Sequence, residues 1–180
     1  MPRFPIDINS ADGQAAVKGQ WKYAEGYVPG EANYGLANRS AGSACRLPDY
    51  DDSSWEVCGD TSAWARFGGD YVTGFSFVWY RMTITIPETV GGRDPSRTRM
   101  MFETCVDDYG EIWVNGECNR ERGTFEGFNR PQRVEVANNP NPGDQHTIAI
   151  LAANGPMGAP GGGVFVRYTN LSFEWRDDDP

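Results

Sequence analysis

Phe75-Ser76-Phe77-Val78-Trp79-Tyr80-Arg81-Met82-Thr83-Ile84-Thr85-Ile86-Pro87 is the stretch on which the fold turns. Val78, Tyr80, Met82, Ile84 and Ile86 recur at every second position, with Arg81, Thr83 and Thr85 between them. Successive side chains of an extended chain point to opposite faces, so this alternation predicts a half-buried strand ended by Pro87. The same period returns in Met100, Phe102, Thr104 and Val106, in Ile112 and Val114, in Val134 and Val136, and in Ile148, Ile150 and Ala152. Nowhere does an apolar pattern at helical spacing persist for three turns. Gly and Pro make up 34 of the 180 residues and are scattered without a period, cutting the chain into short strands. Together these signs predict an all-β domain of two antiparallel sheets packed as a sandwich.

Towards the end, the apolar phase runs Val164, Val166, Tyr168 and then shifts to Leu171, Phe173, Trp175. A slip of one residue would turn the core face outward, so a bulge is expected near Thr169 or Asn170. The length suits a single domain over 1–180, with a core over 17–175, an N-terminal arm over 1–16 and an acidic tail over 176–180. The least regular segment, 26–74, is expected to wrap the sandwich end or build a ligand site.

Composition narrows the partners. With 16 basic and 25 acidic residues, the net charge of -9 repels phosphate backbones and anionic membrane surfaces, so neither nucleic acid nor membrane is expected. No run approaches the ~18 apolar residues of a membrane span, and the first residues lack a signal peptide's apolar core, which gives the expectation of a cytoplasmic protein. Cys45 and Cys58, like Cys105 and Cys118, are thirteen residues apart. There is no Cys-x-x-Cys pair and only His146 as histidine, so no zinc site of ordinary spacing is expected. Cys105 and Cys118 could approach each other on neighbouring strands, although the expected compartment favours free, half-buried thiols.

Three motifs carry a resemblance. Asp51-Asp52-Ser53-Ser54-Trp55, Val78-Trp79-Tyr80-Arg81 and Tyr109-Gly110-Glu111-Ile112-Trp113-Val114-Asn115-Gly116 are similar to the "fDDssW", "gWYR" and "a-x-vwvNG" segments of the jelly-roll sugar-binding domain of family 2 glycoside hydrolases. Gly162-Gly163-Val164-Phe165-Val166-Arg167 through Leu171 resembles that family's "G-I-x-R-x-V-x-L" strand more weakly, and with Trp21 the likeness spans roughly 17–175. The resemblance implies a jelly-roll, galactose-binding-domain-like sandwich whose loops lend polar side chains to a sugar pocket. In this chain those loops are Trp64 to Tyr71 and Asn154 to Arg167. It also implies that the family's catalytic barrel, with its two glutamates, lies outside this chain. Each motif has a mechanical reading too: Asn-Gly suits a tight hairpin turn, and Trp55, Trp79 and Tyr80 suit core packing.

Sugars are held by aromatic faces stacked on the ring and by planar polar groups matched to vicinal hydroxyls. Trp64, Arg66, Asp70, Tyr71, Asn154 and Arg167 form such a set if the loops converge, with ordinary loop residues as the alternative. A second cluster, Asp107, Asp108, Tyr109 and Glu111, could support acid–base work or hold calcium, although Asp commonly serves turns, and alternation sends Glu111 to the face opposite Ile112. Asp49, Asp51 and Asp52 lack the glycine and terminal glutamate of a calcium loop. No other cofactor is expected. His146 has no nucleophile elbow near it and reads as a surface or edge residue, while Gly158 to Gly163 precedes a strand and is no phosphate loop.

The sequence therefore supports a glycoside- or oligosaccharide-binding module, or an accessory subunit beside a catalytic partner or another copy of itself. The alternative is a small stand-alone lyase, cyclase or hydrolase that draws on Asp70, Tyr71, Asp107, Asp108, Tyr109 or Glu111 for acid–base chemistry.

Overall fold

The structure, a computed structural model, describes residues 2–29, 43–62, 76–106, 108–127, 129–154, 164 and 166–175. In chain order the strands are β1 (Arg3–Asp7), β2 (Lys22–Glu25), β3 (Glu56–Val57), β4 (Ser76–Thr85), β5 (Thr98–Val106), β6 (Tyr109–Val114), β7 (Thr124–Glu126), β8 (Arg130–Asn138), β9 (Gln145–Asn154) and β10 (Val166–Trp175). One short helix, α1 (Ala11–Ala16), follows β1 and is capped by Ser10, whose hydroxyl accepts from the Gly13 amide.

The strands form a jelly-roll sandwich of two antiparallel sheets. One has four strands in the order β1-β10-β5-β8, the other six in the order β3-β2-β4-β9-β6-β7. The alternating residues of the sequence meet between them: Val78, Tyr80, Met82, Ile84, Ile112, Ile148 and Ile150 from the six-stranded sheet face Met100, Phe102, Val106, Leu171 and Phe173 from the other. Trp21, fully buried, lies 6.3 Å from the Phe102 ring between centroids. Asn115 and Gly116 adopt φ of 51° and 86° and close the tight turn from Val114 to Glu117, as the Asn-Gly pair requires.

Several expectations change. β4 is buried on both faces, because Phe77, Trp79 and Arg81, on the side opposite Tyr80, are 6%, 1% and 3% exposed. Their cover is the segment around 43–57. Cys45 and Trp55 pack with Phe77, Trp79 and Leu151 in a second apolar cluster, and Tyr50 lies against it. Arg81 fastens this cover, donating to the backbone oxygens of Cys45, Leu47 and Pro48 and pairing with Asp52, which also takes Lys22 at 2.6 Å. The two motifs holding Asp52 and Arg81 are thus one clamp.

The register of β10 against β5 shifts between Val166 and Tyr168, not at Thr169 or Asn170. Thr169 belongs to the inward set: it is fully buried, and its hydroxyl accepts from the Trp21 indole at 3.1 Å. The stretch read as an N-terminal arm supplies β1, paired with β10 from Arg3 to Asp7, and Ile8 is fully buried. Cys105 lies on β5 and Cys118 follows β6, in opposite sheets, and all four thiols are free. His146 is the second residue of β9, which lies between β4 and β6, so it sits on an interior strand and is half-buried.

Candidate functional site

Hydrogen-bond register gathers many strand ends at one end of the sandwich. Asn154 pairs with Ser76, Ala153 with Tyr109 and Tyr109 with Glu126 in the six-stranded sheet. Val166 pairs with Val106 and Val106 with Arg130 in the four-stranded sheet. The ends of β5, β7 and β9 and the starts of β6, β8 and β10, which alternate between the two sheets, thus lie at this end. The exit of β2 joins them, with the Gly26 amide donating to Phe77 at 2.8 Å.

Of the residues chosen from sequence, Asn154, Arg167 and Asp108 stand on this rim. Asn154 is half-buried at the end of β9, and Arg167 is exposed at the bulge that starts β10. Asp108 is exposed with φ 65°, its carbonyl accepting from Gly127 at 2.6 Å. That is a turn residue in the left-handed region, which Asp tolerates better than most. Trp64, Arg66, Asp70, Tyr71 and Asp107 lie outside the described residues, as does the glycine-rich 158–163.

Tyr109 and Glu111 start at the rim but point to the outer face of the six-stranded sheet, opposite Ile112 as alternation requires. Glu111 accepts from the Tyr109 hydroxyl at 2.8 Å and from the Trp113 indole at 2.9 Å, and Arg120 approaches it at 3.6 Å. The Arg46 and Arg120 guanidiniums stand 5.4 and 5.2 Å from the Trp113 ring centre. Burial, followed by the hydrogen bond to Glu111, raises the Tyr109 hydroxyl above its ordinary value. It acts as a hydrogen-bond donor to Glu111.

A polar knot that sequence reasoning missed ties the rim to the core. The Asn9 side-chain oxygen accepts from the hydroxyls of Thr61 and Thr169 at 2.8 and 2.9 Å, and the Val166 amide donates to the Thr61 carbonyl at 3.0 Å. These bonds fix the chain just before 63–75 against the start of β10, beside Arg167. The only trace in the sequence is a threonine at an inward position of β10. The rim thus holds a carboxamide, a guanidinium and a carboxylate, those of Asn154, Arg167 and Asp108.

Among the described residues, no group of three His, Cys, Asp or Glu side chains is placed to share a metal ion, and no helix is long and apolar enough to cross a membrane.

The fold defines the chain as a jelly-roll β-sandwich of the kind that forms one domain of family 2 glycoside hydrolases. No family model and no curated protein matches the sequence. Solved structures do match. A Bacteroides uniformis β-glucuronidase 2, covalently bound to cyclophellitol-6-carboxylate aziridine, superposes with a TM-score of 0.65 at 18% identity, covering 96% of this chain and 18% of that one. A glycosyl hydrolase family 2 member from Bacteroides cellulosilyticus DSM 14838 gives 0.59 at 15% identity, over 94% of this chain and 20% of that one. A Faecalibacterium prausnitzii β-glucuronidase gives 0.56 at 14%, over 96% and 31%. The chain thus spans less than a third of the length of each.

Proposed function

We propose that this chain is a carbohydrate-recognition domain that binds a glycoside or oligosaccharide at the rim carrying Asn154, Arg167 and Asp108, as a binding module or as an accessory to a catalytic partner. The observation that carries this reading is the superposition of 96% of the chain on one part of a β-glucuronidase. The rim chemistry agrees with it, since an amide, a guanidinium and a carboxylate on a bonded support recognise hydroxyls by geometry.

Isothermal titration against neutral monosaccharides, uronates and oligosaccharides tests the proposal. The uronates are included because that neighbour holds a cyclophellitol-6-carboxylate. Runs with calcium and with chelator cover a metal contribution at the rim. Saturable heat for at least one glycoside, reduced tenfold or more by Arg167→Ala, is expected; silence across the panel from folded protein would overturn the reading. Size-exclusion chromatography alone and with candidate catalytic subunits then separates a self-assembling module from an accessory one.

A further inference from the structure

The end of the sandwich away from the rim holds a reactive pair of residues. An asparagine followed by glycine is open to spontaneous deamidation, because glycine has no side chain to shield its nitrogen from the preceding carboxamide. The chain has two such pairs, Asn115-Gly116 and Asn154-Gly155, and Gly155 lies outside the described residues. Asn115-Gly116 makes the turn between Val114 and Glu117, whose backbones exchange bonds of 2.8 and 3.0 Å. Asn115 is exposed, so water reaches it.

Two features of this turn hold the reaction off. The first is the backbone. Deamidation closes a five-membered ring through the Gly116 nitrogen and the C, Cα, Cβ and Cγ atoms of Asn115, so that nitrogen must nearly eclipse Cβ. With φ of 51° and 86° the pair forms a type I′ turn. At the first central residue of such a turn ψ is roughly +30°, which for an L residue sets the following nitrogen on the side opposite Cβ. The second feature is the side chain. Its Oδ1 accepts from the Thr147 amide at 2.9 Å and its NH2 group donates to His146 Nδ1 at 3.0 Å, so the carboxamide is drawn across to β9. The Asn115 amide adds a bond of 2.9 Å to the Thr147 carbonyl. Gly116 is buried, and a Cβ placed on it would stand 3.2 Å from Leu47 Cδ2, so the turn is packed from this side too.

We propose that Asn115 is a latent modification site, deamidated only when this turn opens away from β9. In the opened chain the Gly116 nitrogen attacks Asn115 Cγ and yields its proton to solvent. The bond from Cγ to Nδ2 breaks, and ammonia leaves with a proton from water. A second water opens the succinimide at either carbonyl, giving aspartate or isoaspartate. Isoaspartate adds a methylene to the main chain, which a two-residue turn does not accommodate. Conversion at residue 115 therefore records local opening of the six-stranded sheet at its far end, independently of what binds at the rim.

Incubation of the whole chain in mildly alkaline buffer, folded and in guanidinium chloride, tests the proposal, with peptide fragmentation assigning the mass gain to residue 115 or 154. Residue 115 is expected to convert roughly tenfold or more slower in the folded protein than in the denaturant. His146→Leu, which removes the acceptor for Nδ2, is expected to speed conversion of the folded chain about threefold or more and to leave the rate in denaturant unchanged. The comparison of folded with denatured wild type needs no variant and stands by itself. Equal rates at residue 115 in the two states would overturn the proposal, as would an unchanged rate in His146→Leu whose fold is verified by circular dichroism.

Discussion

The two sheets share one inner core but differ on their outer faces. Outside the six-stranded sheet, Phe77, Trp79, Leu151 and Ala153 are buried beneath Cys45 and Trp55, with Arg81 locking the cover through three carbonyls and Asp52. Outside the four-stranded sheet lies a lattice of ions. Arg3 reaches Glu103 at 3.5 Å and Glu174 at 4.0 Å, Arg133 bridges Glu103 and Glu174, and Arg99 meets Glu135 at 2.8 Å. The difference teaches that alternation reports the inner face of a sandwich faithfully, while the fate of the outer face depends on whether a loop returns to cover it. Where one does, an arginine becomes a structural fastener. Where none does among the described residues, arginines and glutamates pair across the strands, from the part-buried Arg133–Glu174 contact to the solvent-exposed Arg99–Glu135 pair, which contributes little.

Breaking the covered face should cost most. Trp79→Ala removes a side chain that is 1% exposed and donates to the Tyr27 carbonyl at 3.0 Å, so a loss of about 3–5 kcal/mol is expected in denaturant unfolding. Asp52→Asn keeps the shape but removes the charge that Arg81 and Lys22 share; since a hydrogen bond to a charged group contributes roughly 1.5–3 kcal/mol, a loss of about 2 kcal/mol is expected. On the open face, Arg99→Ala breaks a pair whose side chains are 40% and 47% exposed and should cost ~0.5 kcal/mol or less, vanishing at high salt. If Arg99→Ala matched Asp52→Asn, the contrast between the faces would fail.

A smaller effect concerns pH. The Asn115 side-chain oxygen accepts from the Thr147 amide, so its NH2 group donates to His146 Nδ1 at 3.0 Å and the ring proton resides on Nε2. Nε2 is buried without a partner, and burial lowers the imidazole from its ordinary value of 6.5. As pH falls through that value the unfolded chain takes up a proton that the folded one resists, so stability declines on the acid side. His146→Gln should flatten this limb of a stability-versus-pH curve; an unchanged limb would remove His146 from the account.

The inner face was legible because Val78, Tyr80, Met82 and their partners are apolar at every second position, and one physical cause, burial between sheets, acts on all of them. The bulge was placed two residues late because Thr169, a polar residue, holds an inward position with its hydroxyl satisfied by Trp21 and Asn9. The burial of Arg81 was illegible for a related reason: its partners are backbone carbonyls 33–36 residues earlier, and carbonyls carry no sequence signature. For the site, resemblance pointed to the stretch from Asn154 to Arg167, and the register places both ends on one rim with Asp108.

The most direct test of sugar recognition at the rim is an amide NMR titration with the glycoside that gives the largest calorimetric heat. The account expects shifts concentrated at Asp108, Gly127, Asn154, Val166 and Arg167, with the ion lattice of the four-stranded sheet silent. Shifts confined to that lattice, or spread evenly over the sandwich, would contradict it.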